Sequence, residues 1–242
     1  MKLKKRAENK RRKGIKKVNP IIVVVCEGKE TEAQYFKKFN SRYTKVDVRI
    51  VDKNSIGKNK AKATDPKSLV ERALNIKEND YDINPKDGDR VWCIFDVDID
   101  YNNNNPVESK VDQIEKAKKK AKNKVILGIS NPCFEFWYLL HFEYTTANLK
   151  NYNSVIKKLD KYIKDYEKNK GIYDKLKNNM GDAVKRALKL KKYHEALGRQ
   201  LPDFFSNNYN INVRDFIESN PYTNVSDLAQ YIEKLENKNG KL

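Results

Sequence analysis

Residues 21–28 of this 242-residue chain read IIVVVCEG, and this stretch decides the fold. Six consecutive apolar residues, most of them β-branched, end abruptly at Glu27 and Gly28. A continuous apolar run of this length is typical of a strand that is buried on both faces. Such strands occur in parallel sheets with helices packed on either side, so the stretch predicts an α/β fold.

Strand-like and helix-like segments alternate downstream of this first strand. Strands are expected at residues 46–51, 91–95 and 125–130. Helices are expected after Thr31 as N-cap, after Asp65 with Pro66 at the first helical position, at about 107–122, and after Pro132. This alternation predicts a mainly parallel central sheet flanked by helices, with right-handed crossovers. Beyond about residue 145 the apolar spacing is helical throughout.

Three regions follow from this pattern. Residues 1–19 are predicted to form a basic flexible arm, because residues 1–17 hold ten Lys or Arg against a single acid, Glu8. Residues 20–145 are predicted to form the α/β core. Residues 146–242 are predicted to form a helical C-terminal region packed on that core.

The formal net charge of +18 favours a polyanionic partner, either nucleic acid (DNA or RNA) or an anionic membrane, through counterion release and long-range attraction. A lysine-rich proteome would produce part of the same excess, since Lys, Asn, Ile and Tyr are all abundant. The candidate nucleic-acid contacts, each of which could equally be solvated, are Arg11, Arg12, Lys29, Lys53, Lys58 and Lys60.

The apolar segments and the cysteines bear on where the protein works. No apolar run approaches the roughly 20 residues of a membrane span, so no membrane partner is expected. Cys26, Cys93 and Cys133 are odd in number and lie in apolar segments, as small buried hydrophobic residues do in a reducing compartment. A cytoplasmic protein is therefore expected.

Acidic residues stand at the predicted ends of two strands. Glu27 follows the first strand, and Asp96 and Asp98 follow the third. Ligands bind beyond the carboxyl ends of the strands in open parallel sheets, and alternation in an extended segment would point Asp96 and Asp98 to the same side. Three clustered carboxylates predict a Mg²⁺ or Mn²⁺ site that takes a substrate phosphate as a further ligand. An isolated Asp-x-Asp is more often a turn or a helix cap.

Three further acidic or basic side chains are accessory candidates. Glu32 is placed to assist the metal or simply to stabilise the helix N-terminus. Glu135 could reach the metal from the start of its helix, or could be a buried carboxylate that accepts hydrogen bonds from backbone donors. His141 is either a catalytic group or a packed, hydrogen-bonded histidine.

Three motifs carry a resemblance to a known family. They are CEGKETEAQYF at 26–36, VWCIFDVD at 91–98 and SNPCFEFWYLLHF at 130–142. Together with the basic arm and NPYT at 220–223, they resemble the RloB-like family, which is associated with restriction-modification loci and with phage abortive infection of the AbiLii type. That family is in turn similar to Toprim domains of topoisomerases, primases and nucleases.

The resemblance implies roles for the acidic residues. Glu27 would be the general acid/base or a bridging carboxylate, Asp96 and Asp98 would bind Mg²⁺, and Asp100 would replace an acidic residue that often follows the pair. Val97 departs from the basic residue expected in the family at that position, which puts a phosphate contact from that position in doubt.

The motifs are compatible with more than one function. The first is a metal-dependent Toprim-type nuclease in antiphage defence. The second is a nucleic-acid-binding or regulatory subunit that does not cut and works beside an ATPase partner, and the third is a primase-like nucleotidyl transferase. DNA, RNA and a specific tRNA all remain open as substrates.

Overall fold

The computed structural model describes residues 19–28, 30–51, 65–206 and 209–238. Its strands are β1 (Ile21–Cys26), β2 (Asp47–Val51), β3 (Arg90–Asp96), β4 (Ile126–Asn131) and β5 (Tyr222–Thr223). Its helices are α1 (Thr31–Lys37), α2 (Phe39–Arg42), α3 (Pro66–Asn79), α4 (Pro106–Ala121), α5 (Glu135–Leu140), α6 (Tyr152–Leu159), α7 (Tyr173–Leu176), α8 (Met180–Ala196), α9 (Val213–Glu218) and α10 (Val225–Lys238).

The strands form one sheet in the order β2-β1-β3-β4-β5. Every pair from β2 to β4 is parallel, and β5 adds an antiparallel edge beside β4. All six residues of β1 are buried, as the continuous apolar run predicted. The α/β fold with a mainly parallel sheet flanked by helices is therefore confirmed.

The core fills both faces of this sheet. Large aromatic side chains are fully buried against it, among them Phe36 of α1, Trp137 of α5 and Phe134, which directly precedes α5. Cys26, Cys93 and Cys133 are buried and unbridged, which confirms the prediction that they act as small hydrophobic residues. No helix in the described part of the chain is long and apolar enough to cross a membrane.

Two helix starts were predicted from capping residues, and one of them is wrong. Asp65 caps α3 as expected, since its side chain accepts a hydrogen bond from the Ser68 backbone N–H at 3.0 Å. Thr31, however, is the first residue of α1 and does not cap it. Instead, its hydroxyl donates to a buried carboxylate oxygen of Glu135 at 3.3 Å. Glu135 lies 104 residues away in the sequence, so the local pattern around Thr31 could not reveal this acceptor.

Asparagine side chains join β4 to the C-terminal region. Asn224 accepts from the Ile129 backbone N–H at 2.7 Å and donates to the Leu127 carbonyl at 2.9 Å, and Asn131 donates to the Ile217 carbonyl at 2.7 Å. Asn224 thus satisfies edge groups of β4 that the two-residue β5 leaves unpaired, and Asn131 ties the end of β4 to α9. The C-terminal region thus contributes to the central sheet, while the division at residue 145 stays a prediction.

Candidate functional site

A cleft of about 560 Å³ opens at the carboxyl edge of the sheet, beyond the ends of β1 and β3. Among the residues that the structure describes, seven carboxylic acids line the cleft against two lysines, Lys110 and Lys168. The seven acids are Glu27, Glu30, Glu32, Asp65, Asp96, Asp98 and Glu135. The structure therefore brings five sequence-predicted acids together and adds Glu30 and Asp65 to them.

Asp96 is the last residue of β3, and its side chain enters the cleft from the strand end. Its Oδ1 atom is buried without a hydrogen-bond partner among the described residues. Burial raises the pKa of Asp96 well above its usual range, and the nearby charges of Glu32, Glu135 and Glu27 raise it further. A buried, unpaired carboxylate oxygen is costly, and either a proton or a metal cation would satisfy it.

Glu32 lies deeper in the cleft than its position in the first turn of α1 indicates. The residue is only 7% exposed. Burial raises the pKa of Glu32 to about 7, against its own backbone hydrogen bond, and the charges of Glu135 and Glu27 add to the increase. Gly28 makes room for it, since a Cβ atom at that position would lie 2.5 Å from Glu32 Oε2.

Asp98 reaches the cleft by a different route from the one predicted. The strand ends at Asp96, and Asp98 has a positive φ of 35°, so extended alternation does not place it. Its backbone N–H donates to the Pro132 carbonyl at 3.1 Å, and the Val97 N–H donates to the Ser130 carbonyl at 2.8 Å. These bonds fix the turn that directs Asp98 into the cleft. Val97 itself is fully buried, so this position offers no phosphate contact.

Glu135, the first residue of α5, is 1% exposed and is held by side chains rather than by the backbone donors considered above. Its Oε1 accepts from Thr31 Oγ1 at 3.3 Å and from the Tyr166 hydroxyl at 3.2 Å. Lys168 Nζ lies 3.7 Å from the same oxygen, and its ammonium also lies 4.4 Å from the ring centre of Tyr152. The C-terminal region thus contributes a cation to the acidic cleft.

Sequence reasoning missed Lys168 entirely. The residue stands in a lysine-rich run between α6 and α7, more than 30 residues from Glu135. Nothing in the local pattern distinguishes it from its neighbours Lys164 and Lys170, because only the packing of this segment against α1 brings it to the cleft.

Two accessory candidates do not line the cleft. Asp100 is exposed, and its side chain accepts from the Asn102 backbone N–H at 3.0 Å, as in an Asx turn. His141 is buried, with Nδ1 2.9 Å from the Trp137 carbonyl oxygen. Burial lowers the pKa of His141 to about 4, and the nearby Arg186 charge lowers it further, so the ring is neutral at physiological pH. This geometry matches the packed-histidine interpretation.

A family model described as RloB-like protein matches residues 22–232. The chain belongs to the RloB-like family. Every residue that lines the acidic cleft lies within the matched range. Searches of curated proteins and of solved structures found no match. Membership of the RloB-like family fits a defence-associated role.

The basic candidates fall outside the part of this RloB-like chain that the structure describes. They are Arg11, Arg12, Lys29, Lys53, Lys58 and Lys60. Their contacts with nucleic acid stay predictions.

The donor chemistry of the cleft fits a divalent cation. Carboxylate oxygens are the ligands that Mg²⁺ and Mn²⁺ prefer, and Asp96 Oδ1 has no other partner among the described residues. Within those residues, no three His, Cys, Asp or Glu side chains are close enough to form a ready ligand set. Mg²⁺ needs only one or two carboxylates, with water and substrate phosphate as its other ligands. The set of Glu27, Asp96 and Asp98 stays a prediction.

Proposed function

We propose that this chain is a Mg²⁺- or Mn²⁺-dependent nuclease of the Toprim type, which hydrolyses nucleic-acid phosphodiesters in antiphage defence. The observation that carries the proposal is the buried Oδ1 of Asp96, which has no hydrogen-bond partner within the described part of the chain and lies in a cleft that seven described acids line. Membership of the RloB-like family supports the defence role.

The charge distribution supports a cation-dependent reaction. The chain as a whole carries a net charge of +18 and attracts polyanions, whereas the described residues that line the cleft include seven acids and two lysines. A phosphodiester is repelled from such a cleft until positive charge is added there. A divalent cation supplies that charge and also relieves the carboxylate repulsion, which adds to burial in raising the pKa values of Asp96 and Glu32.

Four acids of the cleft have a role in this proposal. Asp96 and Asp98, on the β3 end and the turn after it, would hold the metal. When bound, the metal would polarise the phosphodiester and lower the pKa of a bound water. Glu27, at the end of β1, would accept the proton of the attacking water. Glu135, fixed by Thr31 and Tyr166, would orient the Lys168 ammonium at the side of the cleft.

The test is cleavage of labelled single-stranded, duplex and structured DNA and RNA by the purified chain, with Mg²⁺, with Mn²⁺ and with EDTA. Metal-dependent cleavage is expected, and Asp96→Ala and Asp98→Ala should each abolish it. Asp182→Ala, which changes an exposed acid paired with Lys185 on α8, is the matched control and should retain activity. Cleavage that survives both cleft substitutions would refute the proposal.

A second candidate function is a nucleic-acid-binding or regulatory subunit that does not cut and works beside an ATPase. Two observations favour it: the absence of a ready three-residue ligand set among the described residues, and the burial of Val97. It predicts binding that weakens with salt and no product with either metal. Processed product from the purified chain alone excludes it.

A further inference from the structure

Two further concavities adjoin the acidic cleft and continue away from it. The first, of about 160 Å³, lies between α1 and residues 166–173 and shares Thr31 and Lys168 with the cleft. The second, of about 510 Å³, lies at the end of α2 and shares Tyr173 with the first. The three therefore adjoin one another at these residues and form a row, here called the depression, from the carboxyl edge of the sheet past α1 to α2.

The charge changes sign along this depression. Six cations line the two outer concavities, which we call the basic track: Lys37, Lys38, Arg42, Lys168, Lys170 and Lys177. Asp174 is the one acid among their described lining residues. Lys170 and Lys177 pair with acids at i−3, and about half or more of each lysine side chain is exposed. Such exposed pairs contribute little, so these ammonium groups can exchange a carboxylate for a phosphate at small cost.

The smaller concavity has an aromatic lining. Tyr35, Tyr138, Tyr166 and Tyr173 line it together with Ile172. Two of the rings are held by hydrogen bonds: the Tyr138 hydroxyl donates to the Thr31 carbonyl at 3.0 Å, and the Tyr166 hydroxyl donates to Glu135 at 3.2 Å. Tyr35, Tyr138 and Tyr173 are buried and Tyr166 is partly exposed, so Tyr166 offers the most ring surface to a ligand. Aromatic rings with lysines at the rim are the combination by which proteins bind unpaired bases and their phosphates.

The walls of the basic track are tied together. Gln34 Nε2 donates to the Asn169 carbonyl at 3.3 Å, and Arg42 Nη1 donates to the Lys177 carbonyl at 2.6 Å. These bonds connect α1 and α2 to residues 169–177. A volume of about 160 Å³ is below the range of drug-sized ligand pockets, which is about 300–1,000 Å³, so it suits a group the size of one base rather than a base pair.

We propose that the basic track binds a single-stranded stretch of nucleic acid. Its backbone runs from the acidic cleft past Lys168 and Lys170 to Arg42 and Lys177, and one unpaired base occupies the aromatic concavity. The inference rests on the proposed function for the direction of the strand towards the cleft. The binding itself requires no hydrolysis, so the two can be tested separately.

The test measures binding of fluorescein-labelled 20-nucleotide oligo-dT and oligo-U, and of a duplex of the same length, to the full chain in EDTA. The perturbed chain carries Lys170→Glu and Lys177→Glu. The matched control carries Lys116→Glu and Lys185→Glu, two exposed lysines in the same kind of short-range ion pair but outside the track. Both double variants change the net charge by the same amount. The basic N-terminal residues therefore contribute equally to the affinity of each variant for the oligonucleotides.

Loss of two phosphate contacts should weaken single-strand binding roughly tenfold at 0.15 M salt and lower the slope of log K against log salt by about 1.4. The control should change affinity less than about threefold. If the charge reversals impair folding, Lys170→Gln with Lys177→Gln should still give an intermediate loss. The DNA and RNA oligonucleotides separate the two sources of single strands.

Three results would overturn the inference that the basic track binds single strands. They are an equal loss of single-strand affinity in both double variants, an unchanged single-strand affinity of the track variant, and tighter binding of the wild-type chain to duplex than to single strands. These results are independent of cleavage. A chain that binds through the track but never cuts refutes only the nuclease proposal, whereas a chain that cuts but binds without the track refutes only this inference.

Discussion

Replacing Glu32 with Gln should stabilise the metal-free protein at neutral and alkaline pH. Glu32 is buried beside other carboxylates, and its pKa is raised from 4.5 to about 7. A raised pKa means that the folded state prefers the protonated acid, so the charge of Glu32 destabilises the fold above pH 7. Gln keeps the shape and an acceptor oxygen but carries no charge.

The size of the effect follows from the two pKa values of Glu32. The change from 4.5 to about 7 corresponds to about 3 kcal/mol in the free energy of unfolding. Below pH 4.5 the acid is protonated in both folded and unfolded states, and the substitution should have little effect. Between pH 4.5 and 7 the free energy of unfolding of the wild-type chain falls progressively relative to that of Glu32→Gln, as Glu32 ionises more readily in the unfolded state. Above pH 7 the variant should therefore unfold about 6–12 °C higher than wild type.

The assay is thermal unfolding followed by circular dichroism in EDTA, at steps from pH 4 to pH 8.5. Glu115→Gln is the matched control, since Glu115 is a more exposed glutamate on α4 that pairs with Lys118. It should change stability by less than about 1 kcal/mol at every pH. Added Mn²⁺ should narrow the difference between wild type and Glu32→Gln, because the cation neutralises the same cluster.

Two outcomes would contradict this reasoning. The first is a Glu32→Gln variant that is no more stable than wild type at pH 8. The second is a stability difference that is the same at pH 4 and pH 8, which would show that the substitution acts through packing rather than through charge.

Three further predictions concern stability. Mn²⁺ should raise the melting temperature of the wild-type chain by an amount that grows with its concentration, and Asp96→Asn should remove most of this increase, as scanning calorimetry can show. Asp227→Asn should be more stable than wild type by up to about 4 kcal/mol at pH 8 and by little at pH 3.5, because burial raises the pKa of Asp227 to about 7. Urea unfolding at both pH values measures the sign of this difference in the free energy of unfolding. Gly128→Ala should cost about 1–3 kcal/mol, because a Cβ atom on β4 would collide with Ile94 of β3. Gly181→Ala, which has open space around it on α8, should cost nothing in the same urea assay, and equal losses for the two alanine variants would refute the steric argument.

Much of the fold was predictable because strand signals are local. The buried strands β1, β3 and β4 are short apolar runs, and β2 alternates polar with apolar residues. The observed strands from β1 to β4 therefore lie within one residue of their predicted limits. The exception is β5, which has two residues and no pattern of its own. Its pairing depends on Asn131 and Asn224, whose bonds join parts of the chain more than 80 residues apart.

The candidate site was predictable to the extent that it lies at strand ends. Glu27, Asp96 and Asp98 follow β1 and β3, and the ends of adjacent parallel strands meet at one edge of the sheet. The reason given for Asp98 was incomplete, since a turn with positive φ places it rather than an extended strand.

The sequence by itself determined the parallel sheet, the edge at which the acids gather and the family of the chain, because each depends on short contiguous motifs. Only the tertiary structure decided which side chains share the cleft and how they ionise. Lys168 and Tyr166 reach Glu135 from a distant segment, and Glu32 is buried deeply enough for its pKa to rise to about 7. The physical reason is that burial and charge proximity depend on distances in space, which residues far apart along the chain acquire only when it folds.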